Sequence, residues 1–100
     1  MVAIDWSNQV FEDIDTIAEY LAQYSKPLAN AFVEKVFEKV ELLKNFPEMG
    51  RMVPEIGSTK VRELLFKQYR IVYQLVSRDR IRILTIQHSS TPLSLESLFD

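Results

Sequence analysis

The chain has 100 residues, of which 47% are apolar and 26% charged, with a formal net charge of -2 and no cysteine. That length suits one domain, residues 1–100, and the composition excludes intrinsic disorder, a collagen-like chain, disulfides and cysteine-based metal or thiolate chemistry. No run approaches the ~18 apolar residues of a membrane span, no secretory leader is read at the N-terminus, and the missing cysteines fit a reducing cytoplasm.

In chain order, Val2, Ile4 and Trp6 alternate on one side of an extended segment and predict a short first strand. Ser7 is placed to cap a helix whose apolar stripe is Val10, Ile14, Ile17, Leu21 and Tyr24, widened by Phe11 and Ala18. Ser25 and Pro27 end that helix and start a second one, with Leu28, Phe32, Val36, Val40 and Leu43 as its stripe and Ala29, Val33, Phe37 and Leu42 beside it. The short gap between them predicts an αα-hairpin, closed by Phe46 and Pro47. Residues 47–59 hold both glycines and read as a long loop. Three strands follow, Val61–Phe66, Tyr69–Val76 and Ile81–His88, the last two joined by a turn at Ser77–Arg80. The fold class is therefore α+β: two layers in the order β-α-α-β-β-β, with the helix hairpin packed on a small, mainly antiparallel sheet. Apolar residues on both faces of the last two strands ask for cover on both sides. The hairpin supplies one side, and a partner protein is one candidate for the other. Beyond Thr91, Leu93, Leu95, Leu98 and Phe99 read as a tail that docks as a short helix or strand.

The net charge conceals an asymmetry. Residues 1–48 carry four bases and nine acids, residues 49–100 eight bases and five acids. An acidic helical half is thus set against a basic sheet half, while the mild pI of 5.4 argues against general nucleic-acid coating.

Few residues point to chemistry. His88, the only histidine, ends the last strand, where it serves either as an acid–base group or as a hydrogen-bonded strand cap. Arg62, Arg70 and Arg82 lie on strands, suited to bidentate phosphate binding or to cross-strand pairs with Glu63 or helix carboxylates. Tyr69 and Tyr73 alternate on one strand face, as stacking platforms or as core residues. Arg51 follows Gly50 in the loop, either as a contact residue or as an anchor for loop carbonyls. No phosphate loop and no metal-ligand spacing occurs, so neither cofactor nor metal is expected.

These pieces together resemble the RelE/ParE superfamily of bacterial toxins, and within it the ParE-like, plasmid-stabilisation branch. The matching residues are Trp6; Phe46-Pro47-Glu48-Met49-Gly50-Arg51 with Val53-Pro54-Glu55; Val61-Arg62-Glu63-Leu64; Tyr69-Arg70-Ile71-Val72-Tyr73; and Ile81 to His88. Order and spacing agree from about residue 4 to residue 88. The resemblance implies a sheet on an αα-hairpin and a cytoplasmic toxin neutralised by a cognate antitoxin, as a hetero-oligomer or beside a homodimer. For the ParE-like branch it implies poisoning of DNA gyrase by binding rather than catalysis, with Arg51, Tyr69, Tyr73 and Arg82 as contacts to target or antitoxin. Two alternatives follow from the same resemblance. One is a RelE-like, metal-independent endoribonuclease acting on mRNA in the ribosome, with His88, Arg62 and Arg70 as its catalytic set. The other is a detoxified member that only binds antitoxin. The segment Ser89-Ser90-Thr91-Pro92-Leu93 lacks the arginines that follow the histidine in many relatives, and no tyrosine occurs after Tyr73, which favours the binding toxin over the ribonuclease.

Overall fold

Ser7 turns the chain from strand to helix and ties both to the sheet. Its extended backbone lets the side-chain oxygen accept from Val10 N–H at 3.1 Å, while its hydroxyl donates to the Leu84 carbonyl at 2.8 Å. The structure, a computed structural model, describes residues 1–99. Strand β1 (Ala3–Trp6) precedes α1 (Asn8–Ala22), and α2 (Lys26–Leu42) follows after Ser25, which caps it through Leu28 N–H at 3.2 Å with Pro27 in the first turn. Then come β2 (Arg51–Met52), β3 (Val61–Phe66), β4 (Tyr69–Ser77), β5 (Arg80–His88) and α3 (Leu95–Phe99).

The strands form one five-stranded sheet in the order β1-β5-β4-β3-β2, with β1 parallel to β5 and the other pairs antiparallel. This is the expected two-layer α+β fold, with one addition. The loop over residues 47–59 contains β2, whose two residues pair with Glu63 and Arg62. So short a strand leaves no alternation in the sequence to be read. Helix α1 also ends before Tyr24, which is 71% exposed and lies outside the buried stripe.

The hairpin buries Val10, Ile14, Phe32, Val36, Val40 and Leu43 against Ile71, Tyr73, Ile81, Ile83 and Ile86 of the sheet. Each such side chain contributes on the order of 1.5–3 kcal/mol by leaving water. The second face of the sheet has a core of its own: Val53, Val61, Val72, Leu84 and Leu93, flanked by Ile56 and Leu98. The chain therefore covers this face itself, with the 47–59 loop and the C-terminal tail. A register shift between Val72–Thr85 and Tyr73–Ile83 makes Leu84 the extra residue of a β-bulge, which sends Leu84 into the second core. Beyond Trp6, β5 has no strand neighbour on that side. Asp13 of α1 caps the exposed run instead, accepting from the Thr85 hydroxyl and from Ile86 N–H at 3.2 Å.

Candidate functional site

Glu63 is the electrostatic centre of the second face. Its side chain is fully buried, and it accepts from Arg70 Nη1 at 3.0 Å and from Arg51 Nε at 2.6 Å. Arg70, also buried, forms a fork with Glu55, at 3.1 Å from Nη1 and 2.6 Å from Nη2. Arg70 Nη2 further donates to the Thr91 carbonyl at 2.6 Å, and Leu93 N–H donates to Glu55 at 3.3 Å. The hydrogen bond to Glu55, opposed by desolvation and assisted by Glu63, raises the affinity of Arg70 for its proton. The same bond lowers the Glu55 carboxyl to about 2 from an ordinary value of 4.5. Two carboxylates and one arginine thus hold the tail, through backbone atoms of Thr91 and Leu93, over the second core.

The depressed Glu55 value fixes a sign. The unfolded chain binds this proton more tightly than the folded one, so the stabilisation is full above pH ~4.5 and is lost as the pH falls towards ~2. Glu55→Gln should flatten that part of the acid-unfolding profile, followed by circular dichroism between those limits. An unchanged acid limb would place the tail's pH response elsewhere.

Tyr73 and Arg62 serve the 47–59 loop. The Tyr73 hydroxyl accepts from Gly50 N–H at 3.0 Å and donates to the Pro47 carbonyl at 2.9 Å. Burial pushes its pKa up. Arg62 donates from Nη1 to the carbonyls of Gly50 and Glu48 at 3.0 and 3.3 Å, and from Nε to Thr59 at 3.2 Å.

His88 is exposed at the end of β5. Its Nδ1 accepts from Ser90 N–H at 3.2 Å and lies 2.6 Å from the Ser90 hydroxyl. An accepting Nδ1 assigns the neutral ring's proton to Nε2. His88 stands opposite Tyr69, with ring centroids 6.1 Å apart. Arg70, next to Tyr69 and paired with Gln87, points to the other sheet face. Arg62 is level with Tyr73, four residues from Tyr69 and so roughly 13 Å along the strand from the His88 level. Arg62, Arg70 and His88 therefore do not converge. Arg82 is exposed and lines an open cavity with Asp13 and Gln87 under the tail. Arg51 keeps most of its side chain in solvent while its Nε holds Glu63. Among the described residues, no cluster of three His, Asp or Glu side chains is placed to hold a metal ion, and no helix is long and apolar enough to cross a membrane.

An apolar surface lies elsewhere. Trp6 contacts Phe11 and Phe37 at ring-centroid distances of 5.7 and 4.9 Å, and both phenylalanines are more than 40% exposed. The cluster flanks β1, whose outer edge has no strand partner, and a groove of about 460 Å³ runs between β1 and α2 past Val2, Ile4 and Val40. By helical spacing the sequence sets Phe11 and Phe37 beside the core stripes, whereas the structure exposes both. Phe11 and Phe37 fall about one residue off their helices' stripes, turned away from the sheet.

The family model for the ParE toxin of the type II toxin–antitoxin system parDE matches residues 4–92. The chain belongs to the ParE toxin family. Among solved structures, it is similar to a chain of the chromosomal ParDE toxin–antitoxin system from P. aeruginosa, with 23% sequence identity and a TM-score of 0.70. That likeness covers 88% of this chain and 96% of the other, and it concerns the fold. No curated protein matches the chain.

Proposed function

We propose that this ParE-family toxin arrests growth by binding DNA gyrase, and that a cognate antitoxin neutralises it by docking on the helix hairpin beside β1. The observation that carries the antitoxin part is the free edge of β1 next to the cluster of half-buried Trp6 with exposed Phe11 and Phe37. An edge strand offers backbone hydrogen bonds to an added strand, and the groove beside it offers places for alternate side chains. Gyrase comes from the family reading and is favoured over mRNA cleavage by the dispersal of Arg62, Arg70 and His88. A metal-independent ribonuclease needs proton-transfer and charge-stabilising groups around one phosphate.

Induced expression is expected to stop growth, and co-expression of the antitoxin encoded beside the toxin gene to restore it. The purified chain should block gyrase supercoiling and leave in vitro translation intact. Cleaved mRNA that is lost in His88→Ala would select the ribonuclease, and unimpaired growth would select a detoxified binding module. Phe37→Glu places a charge on the exposed cluster and should weaken the antitoxin by at least ~30-fold, the scale of a lost hot spot, measured by calorimetry.

A further inference from the structure

A second apolar cleft, of about 260 Å³, opens at the other end of α2. Leu21 at the end of α1, Leu28 and Phe32 at the start of α2, and Phe66 and Tyr69 flanking the β3–β4 turn form its walls. Lys35 and Lys67 stand among the lining residues. The volume falls below the ~300 Å³ at which small-molecule sites begin, so it suits one side chain rather than a cofactor.

Lys67 is placed there at a cost. It has φ 52°, the single positive-φ residue other than glycine among those described, in the two-residue turn between the paired Phe66 and Tyr69. Such a position favours glycine, and a residue with a Cβ is strained in it. Lys67 makes no salt bridge among the described residues, and Lys35 makes only an exposed one, to Glu38 at 3.2 Å. Two weakly engaged ammonium groups, one on α2 and one on the β3–β4 turn, thus border an apolar hole at the end of a helix hairpin whose other charges are mainly acidic. Backbone strain kept at an exposed, uncompensated charge points to a use for that charge. An extended nucleic acid would meet the acidic remainder of the hairpin, whereas a single acid beside an apolar side chain meets only the lysines.

We propose that this cleft receives one large apolar side chain of the cognate antitoxin, with a neighbouring Asp or Glu held by Lys67 and Lys35. The inference rests on the reading that the antitoxin docks on the hairpin, and it specifies what that antitoxin carries. The two apolar regions lie along one helix. Phe37 and Ala31 are six residues apart on α2, about 9 Å along its axis and roughly 120° around it, so an antitoxin segment reaching both crosses the helix obliquely.

Ala31 is exposed at the mouth of the cleft, so Ala31→Trp fills it without entering the core. Its melting temperature should match wild type, while the calorimetric Kd for the adjacent-gene antitoxin rises at least ~30-fold. Lys67→Asn relaxes the turn, since asparagine tolerates the left-handed region. It should melt at or above the wild-type temperature yet bind ~3- to 10-fold more weakly and with a shallower salt dependence. A merely structural lysine would change melting alone. A photo-crosslinking residue at position 31 should label an antitoxin segment with a large apolar residue next to an acid. Ala31→Trp binding within about twofold of wild type overturns the proposal while leaving hairpin docking in place. Crosslinks to RNA or to a second copy of the chain overturn it as well. A wild-type chain that fails to bind the antitoxin removes the docking reading itself.

Discussion

Arg70→Ala should lower the unfolding free energy by about 3–5 kcal/mol, the cost of breaking a buried ion pair from one side. The size follows from what stays behind. Glu63 remains fully buried with only Arg51 as cation, and Arg51 is 61% exposed, so solvent screens much of its attraction. Glu55 loses both of its bonds to the fork, and the Thr91 carbonyl keeps only Gln87 Nε2, at 3.0 Å, as a donor. A small domain has only about 5–15 kcal/mol in total, so the variant would sit near its folding threshold at 37 °C. Urea titration measures the loss, and hydrogen exchange at Leu93 and Leu98 should accelerate more than exchange in β5, because the tail loses its anchor as well as its share of global stability. Replacing Arg70 and Glu63 together by leucine should recover a substantial part of the loss, since the buried charge then disappears with its partner. A loss under about 1 kcal/mol for Arg70→Ala would mean that the Glu63 network contributes little to the fold.

The same network shows what the sequence carried openly and what it did not. Both helices were legible, because the stripes from Val10 and Leu28 recur at helical spacing and Ser7 and Ser25 cap them as their chemistry requires. The three long strands were legible by alternation. The bulge at Leu84 was not, because Ile83 through Ile86 reads as apolar on both sides in either register. The tail's docking was hidden for another reason. Arg70 reaches 7 residues back to Glu63, 15 back to Glu55 and 21 forward to Thr91, and no local period encodes such contacts.

The candidate site was less legible than the fold. Pro47, Gly50, Arg51, Glu55, Arg62, Glu63, Arg70 and Tyr73 carry most of the resemblance to the family, and in the structure they bond to one another or to the loop between them. Those residue types suit phosphate binding or base stacking as well as structural pairing, because guanidinium groups and phenols are versatile. Their actual partners are backbone carbonyls and buried carboxylates. The family pattern in this chain therefore marks how a glycine-containing loop and a tail are fastened to a sheet. The surface proposed above for a partner, around Phe11, Phe37 and the Lys67 cleft, meets that pattern at Trp6 and Tyr69 and otherwise lies on the helices and one turn.

Gly50 gives the fastening its sharpest test. A Cβ built there would lie 2.6 Å from the Tyr73 hydroxyl, 2.7 Å from Tyr73 Cε1 and 2.7 Å from the Glu63 carbonyl oxygen. The last contact is backbone within a paired strand and has little freedom to retreat. Gly50→Ala therefore has to push the loop outward, and the Gly50 N–H bond to Tyr73 goes with it. Overpacking costs ~1–3 kcal/mol and a buried donor left without its acceptor adds ~1–3 kcal/mol, so a loss of about 3 kcal/mol is expected in urea unfolding. Gly57 is the useful contrast. It has φ 71° with open space around its missing Cβ, so Gly57→Ala should cost only the strain of the left-handed backbone, about 1 kcal/mol. A double-mutant cycle separates the two components at Gly50. Tyr73→Phe removes the hydroxyl and with it the 2.6 Å clash, so the double variant should be more stable than the sum of the single losses predicts. Strict additivity would assign the cost to the Glu63 carbonyl and the Tyr73 ring carbon, which phenylalanine keeps, and a loss at Gly50→Ala no larger than at Gly57→Ala would show that the loop yields freely.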